Sequence, residues 1–234
     1  MEAFTPVDQT EFFRLLSAGA AELGLFLTEK HLKDFARYLD ELQVWAKRMN
    51  LIRRMDEREI ILKDFLDSLT VVKYLSEGAS VMDLGPGAGF PGLPAKIVRP
   101  DLKMTLLEAS RKKVYFLKNL VRYLGLEGTE VHWSGEDKEA EKNFRGRFDF
   151  VLCRAFGSLQ KFSTIGVLFL KQGGILLAMK GKKGKAELER ALPALEKMGL
   201  DLAFLNGLRL PFLGHERILI GLRKEKKEDH LQIS

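Results

Sequence analysis

The spacing of hydrophobic residues changes near residue 76. Before that point hydrophobic residues recur at every third or fourth position, as they do over Leu32–Trp45, and this spacing gives a helix one apolar face. Side chains able to cap a helix precede the apolar stretches. Thr10 is expected to begin the first helix, Thr28 the second, and Asp56 with Glu59 the third. Residues 1–75 are therefore predicted to form a helical extension.

Beyond Ser80 short apolar runs alternate with helical patterns. Strands are expected over 81–84, 104–107, 130–133, 148–153, 175–179, 202–208 and 217–222, and helices over 91–98, 111–124, 159–170 and 186–198. Such alternation predicts a mostly parallel sheet covered on both faces. Because only a loop joins the last two runs, one strand should be antiparallel. The expected fold class is α/β, a seven-stranded Rossmann-like fold over 76–223, followed by a charged tail at 224–234.

Composition narrows the possible classes of protein. The chain is 46% hydrophobic, which is too high for a disordered protein, and its single cysteine excludes an intramolecular disulfide. The four histidines show no metal-ligand spacing, so we expect no metal. No signal peptide and no apolar run of about 18 residues is found, which predicts a cytoplasmic protein without a membrane span. The net charge of +6 is compatible with a polyanionic partner.

A glycine-rich segment, Asp83–Gly89, lies where the first strand turns into a helix. Glycines there allow a tight turn and a close approach of a ligand to the backbone, and a helix N-terminus directs its N–H groups to the same space. Gly87, Gly89 and Gly92 also fit the dinucleotide spacing, but that pattern is weak by itself. Asp83 favours S-adenosylmethionine, since its charge suits the methionyl ammonium group and would oppose a pyrophosphate. Asp83, Gly85, Gly87 and Gly89 are thus predicted cofactor-binding residues.

Two further acids follow predicted strands. Glu108 ends the second strand 21 residues after Gly87, close to the ~20 expected of a carboxylate that binds ribose. This spacing serves S-adenosylmethionine and NAD equally. Gly135 and Glu136 end the third strand, where adenine lies in this architecture, and both are predicted to bind the cofactor.

Together these motifs resemble those of the bacterial small-subunit (16S) ribosomal RNA methyltransferase G family, formerly called glucose-inhibited division protein B. The most restrictive part is Phe90-Pro91-Gly92 after the glycines. The resemblance covers nearly the whole chain and includes Asn50-Leu51, Asp67-Ser68-Leu69, Ile97–Pro100, Lys112-Lys113, Phe116-Leu117, Arg154-Ala155-Phe156, Met179-Lys180-Gly181 and Glu216-Arg217. Three positions depart from the family pattern. Members usually carry histidine at the position of Asp64, Arg-Ala at Ser134-Gly135 and often alanine at Gly157.

The resemblance implies methylation at N7 of a guanine in the decoding-region loop of 16S rRNA, with S-adenosyl-L-methionine as methyl donor. It also implies cofactor contacts from Gly85, Phe90, Glu108, Ala109, Ser110, Gly135, Glu136 and Arg154. The partner it implies is 16S rRNA or the small ribosomal subunit, and we expect a monomer.

The chemistry of N7 methylation agrees with what the sequence lacks. Guanine N7 has a lone pair and no proton, so it needs no general base, and catalysis becomes a matter of positioning. Cys153 follows leucine and not the proline usual before a cytosine-methylating cysteine, which favours a buried strand residue. Arg154 is the predicted catalytic residue, directed at the methionine end of the cofactor. A structural pairing of Arg154 with a carboxylate is the alternative.

Basic residues at two places could contact RNA phosphates. One group follows the fifth strand, and the other lies in the helical extension with Arg48. The predicted RNA-binding residues are Arg53, Arg54, Lys180, Lys182, Lys183, Lys185 and Arg217, and Phe156 is available to stack on an extruded base.

Three other functions remain open from the sequence. A methyltransferase for a small molecule would use the same glycine loop without RNA. An RNA-binding protein with a vestigial loop would not bind S-adenosylmethionine. An NAD-dependent dehydrogenase fits the glycine spacing, but Asp83 and the closing pair of strands argue against it.

Overall fold

A computed structural model describes residues 8–49, 51–52, 56–134 and 142–225. The predicted site residues Arg53, Arg54, Gly135 and Glu136, and most of the predicted tail, lie outside these ranges. Within them, no helix is both long enough and apolar enough to cross a membrane.

The first part of the chain is helical, as predicted. Its elements are α1 (Gln9–Glu22), α2 (Glu29–Ala46), α3 (Glu57–Ile60), a π-helical turn (Ile61–Phe65), α4 (Leu66–Leu69) and a 3-10 turn (Val72–Tyr74). Thr28 and Asp56 cap α2 and α3 through their side-chain oxygens. The prediction of Thr10 as the first cap is wrong. Asp8 is extended and accepts a hydrogen bond from the Glu11 N–H, which places Thr10 inside α1.

The sheet has seven strands in the described residues, in the order β3-β2-β1-β4-β5-β7-β6. The pairs from β3 to β5 are parallel, and β7 is antiparallel to both β5 and β6. The predicted mostly parallel sheet with one antiparallel strand is confirmed. The strands are β1 (Ser80–Leu84), β2 (Lys103–Glu108), β3 (Thr129–Trp133), β4 (Phe148–Arg154), β5 (Leu170–Lys180), β6 (Leu200–Arg209) and β7 (Glu216–Lys224).

Among the described residues beyond β1, four helices pack against the sheet: α5 (Gly92–Val98), α6 (Arg111–Leu124), α7 (Leu159–Gly166) and α8 (Gly184–Lys197). The fifth strand begins at Leu170, earlier than predicted. Its pairing with β4 shifts register between Phe148 and Phe150, and Gly173-Gly174 lie inside the strand at this irregularity. A Cβ at Gly174 would lie 3.0 Å from the Phe148 carbonyl oxygen, so this close contact between strands favours glycine. The sequence pattern had indicated a turn there.

The N-terminal helices share one hydrophobic core with the sheet domain. Phe35 and Leu42 of α2 belong to the same buried cluster as Leu93 of α5 and Phe116 of α6. Residue 75 therefore marks a change of secondary structure within one continuous core. Its position as a domain boundary stays a prediction.

The chain reverses its direction across the sheet between β1 and β4. It runs outwards from β1 through β2 to β3, and then returns to place β4 on the other side of β1. Ligands of open α/β sheets bind at the carboxyl ends of the strands beside such a switch point. Asp83 of β1, Glu108 of β2 and Arg154 of β4 lie at or near those ends.

Candidate active site

The glycine loop has the backbone that its composition predicts. Gly85, Gly87 and Gly89 have φ values of 71°, 61° and 103°, in the left-handed region that favours glycine. At Gly89 an added Cβ would lie 2.3 Å from the Tyr38 hydroxyl oxygen. Tyr38 is buried in α2 and donates a 2.6 Å hydrogen bond to the Ala88 carbonyl oxygen. The N-terminal extension therefore contacts the loop directly.

Glu108 joins the glycine loop to the turn after β2. Its two carboxylate oxygens each accept a 2.9 Å backbone hydrogen bond, Oε2 from the Gly87 N–H and Oε1 from the Ser110 N–H. The Ser110 side chain itself makes no capping hydrogen bond at the start of α6. The Ala109 carbonyl oxygen accepts a 2.7 Å bond from the Trp133 indole. The structure thus brings Gly87, Glu108, Ala109 and Ser110 together.

Asp83 lies beneath the loop with no solvent exposure. Its Oδ2 accepts a 2.7 Å hydrogen bond from the Gly92 N–H, and its Oδ1 has no hydrogen-bond partner among the described residues. Burial is the main reason that the pKa of Asp83 rises to about 7; the Gly92 bond and Arg154 oppose the rise. Asp83 supports the turn into α5, and a direct contact with the cofactor stays a prediction.

Substituting Asp83→Asn is expected to change how stability depends on pH. The folded-state pKa of Asp83 is about 7, above the ordinary value of 3.8. As the pH rises, this carboxyl therefore ionises at lower pH in the unfolded chain than in the folded one. The wild-type fold loses stability between about pH 4 and 7 for this reason. Asparagine resembles the protonated acid and escapes this loss. Relative to wild type, the variant should gain at most about 4 kcal/mol between pH 4 and 8. Urea denaturation of both proteins without cofactor measures the difference, and a difference independent of pH would contradict the expectation.

Arg154, at the end of β4, pairs with carboxylates. Its Nη2 lies 2.6 Å from the Asp64 Oδ1, its Nη1 donates a 2.9 Å bond to the Lys63 carbonyl oxygen, and Asp67 is 3.5 Å away. The guanidinium also lies over the Phe90 ring, 4.9 Å from its centroid. This is the carboxylate pairing that the sequence left open. The Arg154 side chain remains 20% exposed, and its contact with the cofactor stays a prediction.

Phe90 and Arg217 lie on the side of the site that faces the N-terminal helices. The Phe90 ring is buried and stacks on Tyr38 at a centroid distance of 5.6 Å. The Arg217 Nε donates a 2.9 Å hydrogen bond to the Asp67 Oδ1, so Asp67 has two arginine partners. Burial raises the pKa of Asp67, while Arg217 and Arg154 act in the opposite direction. Arg217, predicted to bind RNA, therefore already has a carboxylate partner.

The predicted lysine group after β5 divides into two environments. The Lys180 side chain is only 12% exposed, donates to the Gly157 carbonyl oxygen and pairs with Glu187 at 3.0 Å. Lys182, Lys183 and Lys185 are exposed in the turn and at the start of α8. Only these three lysines of the group are open to a large partner.

Two environments near the site were missed by the sequence interpretation. One is Tyr38, which gave no signal beyond its place in the apolar stripe of α2. The other is the pair Asp64 and Asp67, whose spacing of three residues among buried apolar neighbours could have indicated a buried ionic contact. Cys153 is buried as predicted, and its burial raises the pKa of its thiol.

Comparison with protein families identifies the chain. The family model for rRNA small subunit methyltransferase G matches residues 31–211. The chain belongs to this family. Its relatives include the ribosomal RNA small subunit methyltransferase G of Geotalea uraniireducens, with 41% identity over 90% of this chain and 96% of that protein. The enzyme of the same name from Pelotomaculum thermopropionicum has 39% identity and 89% coverage of both chains.

Solved structures show the same fold at lower sequence similarity. A SAM-dependent methyltransferase from Aquifex aeolicus superposes with a TM-score of 0.52 and 22% identity, covering 72% of this chain and 94% of that one. TYW2 from M. jannaschii, solved in complex with AdoMet, gives a TM-score of 0.55 at 17% identity, covering 70% of this chain and 76% of that one.

Membership of the methyltransferase G family confirms three predictions. The resemblance, the Rossmann-like methyltransferase fold and the S-adenosylmethionine-dependent methylation of small-subunit rRNA all hold. The family match therefore favours this function over the three alternatives left open by the sequence. The roles of individual site residues stay predictions.

Proposed function

We propose that this chain transfers the methyl group of S-adenosylmethionine to N7 of a guanine in the decoding-region loop of 16S rRNA, without a general base. The observation that carries the choice of atom is the carboxyl end of β4. Cys153 is buried there with a raised thiol pKa, so it is not available as a nucleophile for methylation at a carbon atom. Arg154-Ala155-Phe156 stands where amino-group methyltransferases carry their Asn-Pro-Pro-aromatic motif.

The described residues fit the proposed methyl donor. An ionised carboxylate has about four lone-pair sites, and Glu108 uses one on each oxygen for Gly87 and Ser110. The remaining sites accept the two ribose hydroxyls. At Gly87 the nearest atom to an added Cβ is the Lys113 Nζ at 4.0 Å, so the loop leaves its backbone open to a ligand. Gly135 and Glu136 are proposed for adenine on the sequence alone.

The mechanism needs positioning more than proton transfer. S-adenosylmethionine supplies an electrophilic methyl group when bound, and guanine N7 supplies the attacking electron pair. The task of the protein is to hold the two in line. The proximity of Phe156 to the loop supports a role for its ring in this positioning, because a Cβ added to Gly85 would lie 3.0 Å from the ring. A guanine stacked on Phe156 would therefore lie beside the glycine loop.

Arg154 is proposed to act at the methionine end of the donor. Donation from its guanidinium to guanine N7 would occupy the lone pair that must attack, so the methionyl carboxylate is the better partner. The cofactor would then share the guanidinium with Asp64.

The proposed reaction is tested by incubating the protein with tritiated S-adenosylmethionine and 16S rRNA from a strain lacking the modification. Label released as N7-methylguanine supports the proposal. Label in another position would overturn the choice of N7. Binding of the donor without transfer to RNA would favour a small-molecule methyltransferase. The same assay on small subunits identifies the preferred form of the substrate, and sedimentation tests the expected monomer.

The exposed lysines after β5 are proposed to contact RNA phosphates, together with Arg53 and Arg54. The double substitution Lys182→Glu/Lys183→Glu is expected to cause a steep loss of RNA binding, since it replaces two cations with two anions, while donor binding stays unchanged. Filter binding with unmodified rRNA measures the effect. Arg190→Glu/Lys197→Glu is the control, because it makes the same charge change further along α8. Equal methylation of ribosomal particles by both variants would contradict the proposal.

A further inference from the structure

A groove of about 400 Å³ lies between the end of α2 and the first turns of α6, outside the candidate active site. It is lined by Trp45, Arg48, Met49, Arg111, Lys112 and Tyr115. Its volume falls within the ~300–1,000 Å³ of small-ligand pockets. We refer to it as the α2–α6 groove.

Two aromatic rings form part of the α2–α6 groove. Tyr115 is 68% exposed, which is high for an aromatic residue, and its ring centroid lies 5.6 Å from that of Trp45. Trp45 is held in place, since its indole N–H donates a 2.9 Å bond to the Glu41 carboxylate and its ring packs on Phe116. A fixed indole beside an exposed phenol provides a stacking surface for a planar group.

The charges of the groove have one sign. Arg48, Arg111 and Lys112 line it, and none of its described lining residues is a carboxylate. Neither Arg48 nor Lys112 forms an ion pair with a carboxylate in the part of the chain that the structure describes. Exposed cations interleaved with aromatic rings complement a single-stranded nucleic acid, whose phosphates and bases alternate in the same way.

The groove also lies close to the cofactor-binding turn. Arg111 begins α6 directly after Ser110, the residue whose N–H bonds to Glu108, and its guanidinium lies 4.3 Å from the centroid of the Trp133 ring. Tyr115 follows four residues later, about 6 Å along the helix. The strand order places α6 on the β2–β3 side of the candidate site, opposite to Lys182 and Lys183, which follow β5.

We propose that the α2–α6 groove binds a nucleotide of the single-stranded RNA that flanks the methylated base. This proposal rests on the proposed function. The base of this nucleotide stacks on Tyr115 beside Trp45. Its neighbouring phosphates pair with Arg48 and Lys112.

Tyr115→Ala in the full-length chain tests the stacking contact. The variant should bind unmodified 16S rRNA at least about fivefold more weakly and show a raised KM for that RNA, with kcat and donor affinity unchanged. Tyr115→Phe, which keeps the ring, should bind as wild type does. Tyr123→Ala is the matched control, because Tyr123 is an exposed tyrosine of α6 outside the groove.

Arg48→Ala/Lys112→Ala tests the phosphate contacts. It should lower the slope of log affinity against log salt concentration by about 1.4, since each phosphate contact on a single strand contributes about 0.7. Lys118→Ala, which removes an exposed cation of α6 outside the groove, should lower the slope by less.

The outcomes separate this proposal from the proposed function. If wild type methylates the rRNA but the groove variants bind RNA as tightly as the controls, the groove proposal is wrong and the function stands. If wild type neither binds nor methylates the rRNA, both are wrong. A weaker binding of Tyr115→Ala that Tyr115→Phe fails to restore would also overturn stacking.

Discussion

Glu108→Gln is expected to weaken S-adenosylmethionine binding by about 100-fold or more. The carboxylate offers two acceptors to the Gly87 and Ser110 N–H groups, whereas an amide offers one acceptor and one donor. One backbone N–H would therefore face another N–H, and a ribose hydroxyl would lose its acceptor. Both proposed ribose bonds lose their charged acceptor, and hydrogen bonds to charged groups contribute ~1.5–3 kcal/mol each, so these two changes correspond to about two or more powers of ten in Kd.

Isothermal titration of donor into each variant measures this effect. Glu127→Gln, which neutralises an exposed acid beyond α6, is the control and should bind as wild type does. Urea denaturation without donor separates loss of binding from loss of fold. If Glu108→Gln binds the donor within about threefold of wild type, then Glu108 does not hold the ribose.

Arg154→Ala is expected to destabilise the fold by about 3–5 kcal/mol. The substitution removes the partner of Asp64 and one of the two arginine partners of Asp67, and both carboxylates are almost fully buried. Removing one member of a buried ion pair leaves an uncompensated charge, which accounts for this magnitude. Urea denaturation at neutral pH measures the loss, and a loss below about 1 kcal/mol would contradict the buried-pair interpretation.

A second substitution separates the structural role of Arg154 from a catalytic one. Arg154→Ala/Asp64→Asn removes both charges of the closest pair and should recover part of the lost stability. If Arg154 also contacts the methyl donor, methyl transfer stays low in this double variant, and Asp64→Asn alone keeps more activity. Recovery of full transfer in the double variant would show that Arg154 acts only through the fold.

The sheet could be predicted from the sequence because its signals are local. Each strand is a short apolar run, and the loop between β6 and β7 is too short for a helix, which predicted the antiparallel strand. Errors arose where local signals compete. Asp8 and Thr10 can both cap a helix, and only the observed hydrogen bond to Glu11 distinguishes them. The pair Gly173-Gly174 reads as a turn unless the contact with β4 is known.

In the candidate site too, the features that depend on local sequence could be predicted and the long-range contacts could not. The glycine loop and Glu108 follow from spacing within one strand–helix–strand unit, and the structure joins them by a hydrogen bond. The partners of Arg154 did not follow, because Asp64 is 90 residues away and belongs to the helical extension. Local sequence patterns do not indicate contacts between residues so far apart in the chain. The sequence therefore left two alternatives for Arg154, a contact with the cofactor and a pairing with a carboxylate.

The contact between Tyr38 and the glycine loop has a thermodynamic consequence. Tyr38 belongs to α2, whose end contributes Trp45 to the α2–α6 groove, and its hydroxyl bonds to the backbone of the loop. A ligand whose binding displaces α2 must alter the affinity of the loop for its own ligand, and the reverse effect has the same magnitude. Under that condition the helical extension would link the two sites, and each ligand would change the affinity of the other by the same factor in either order of binding.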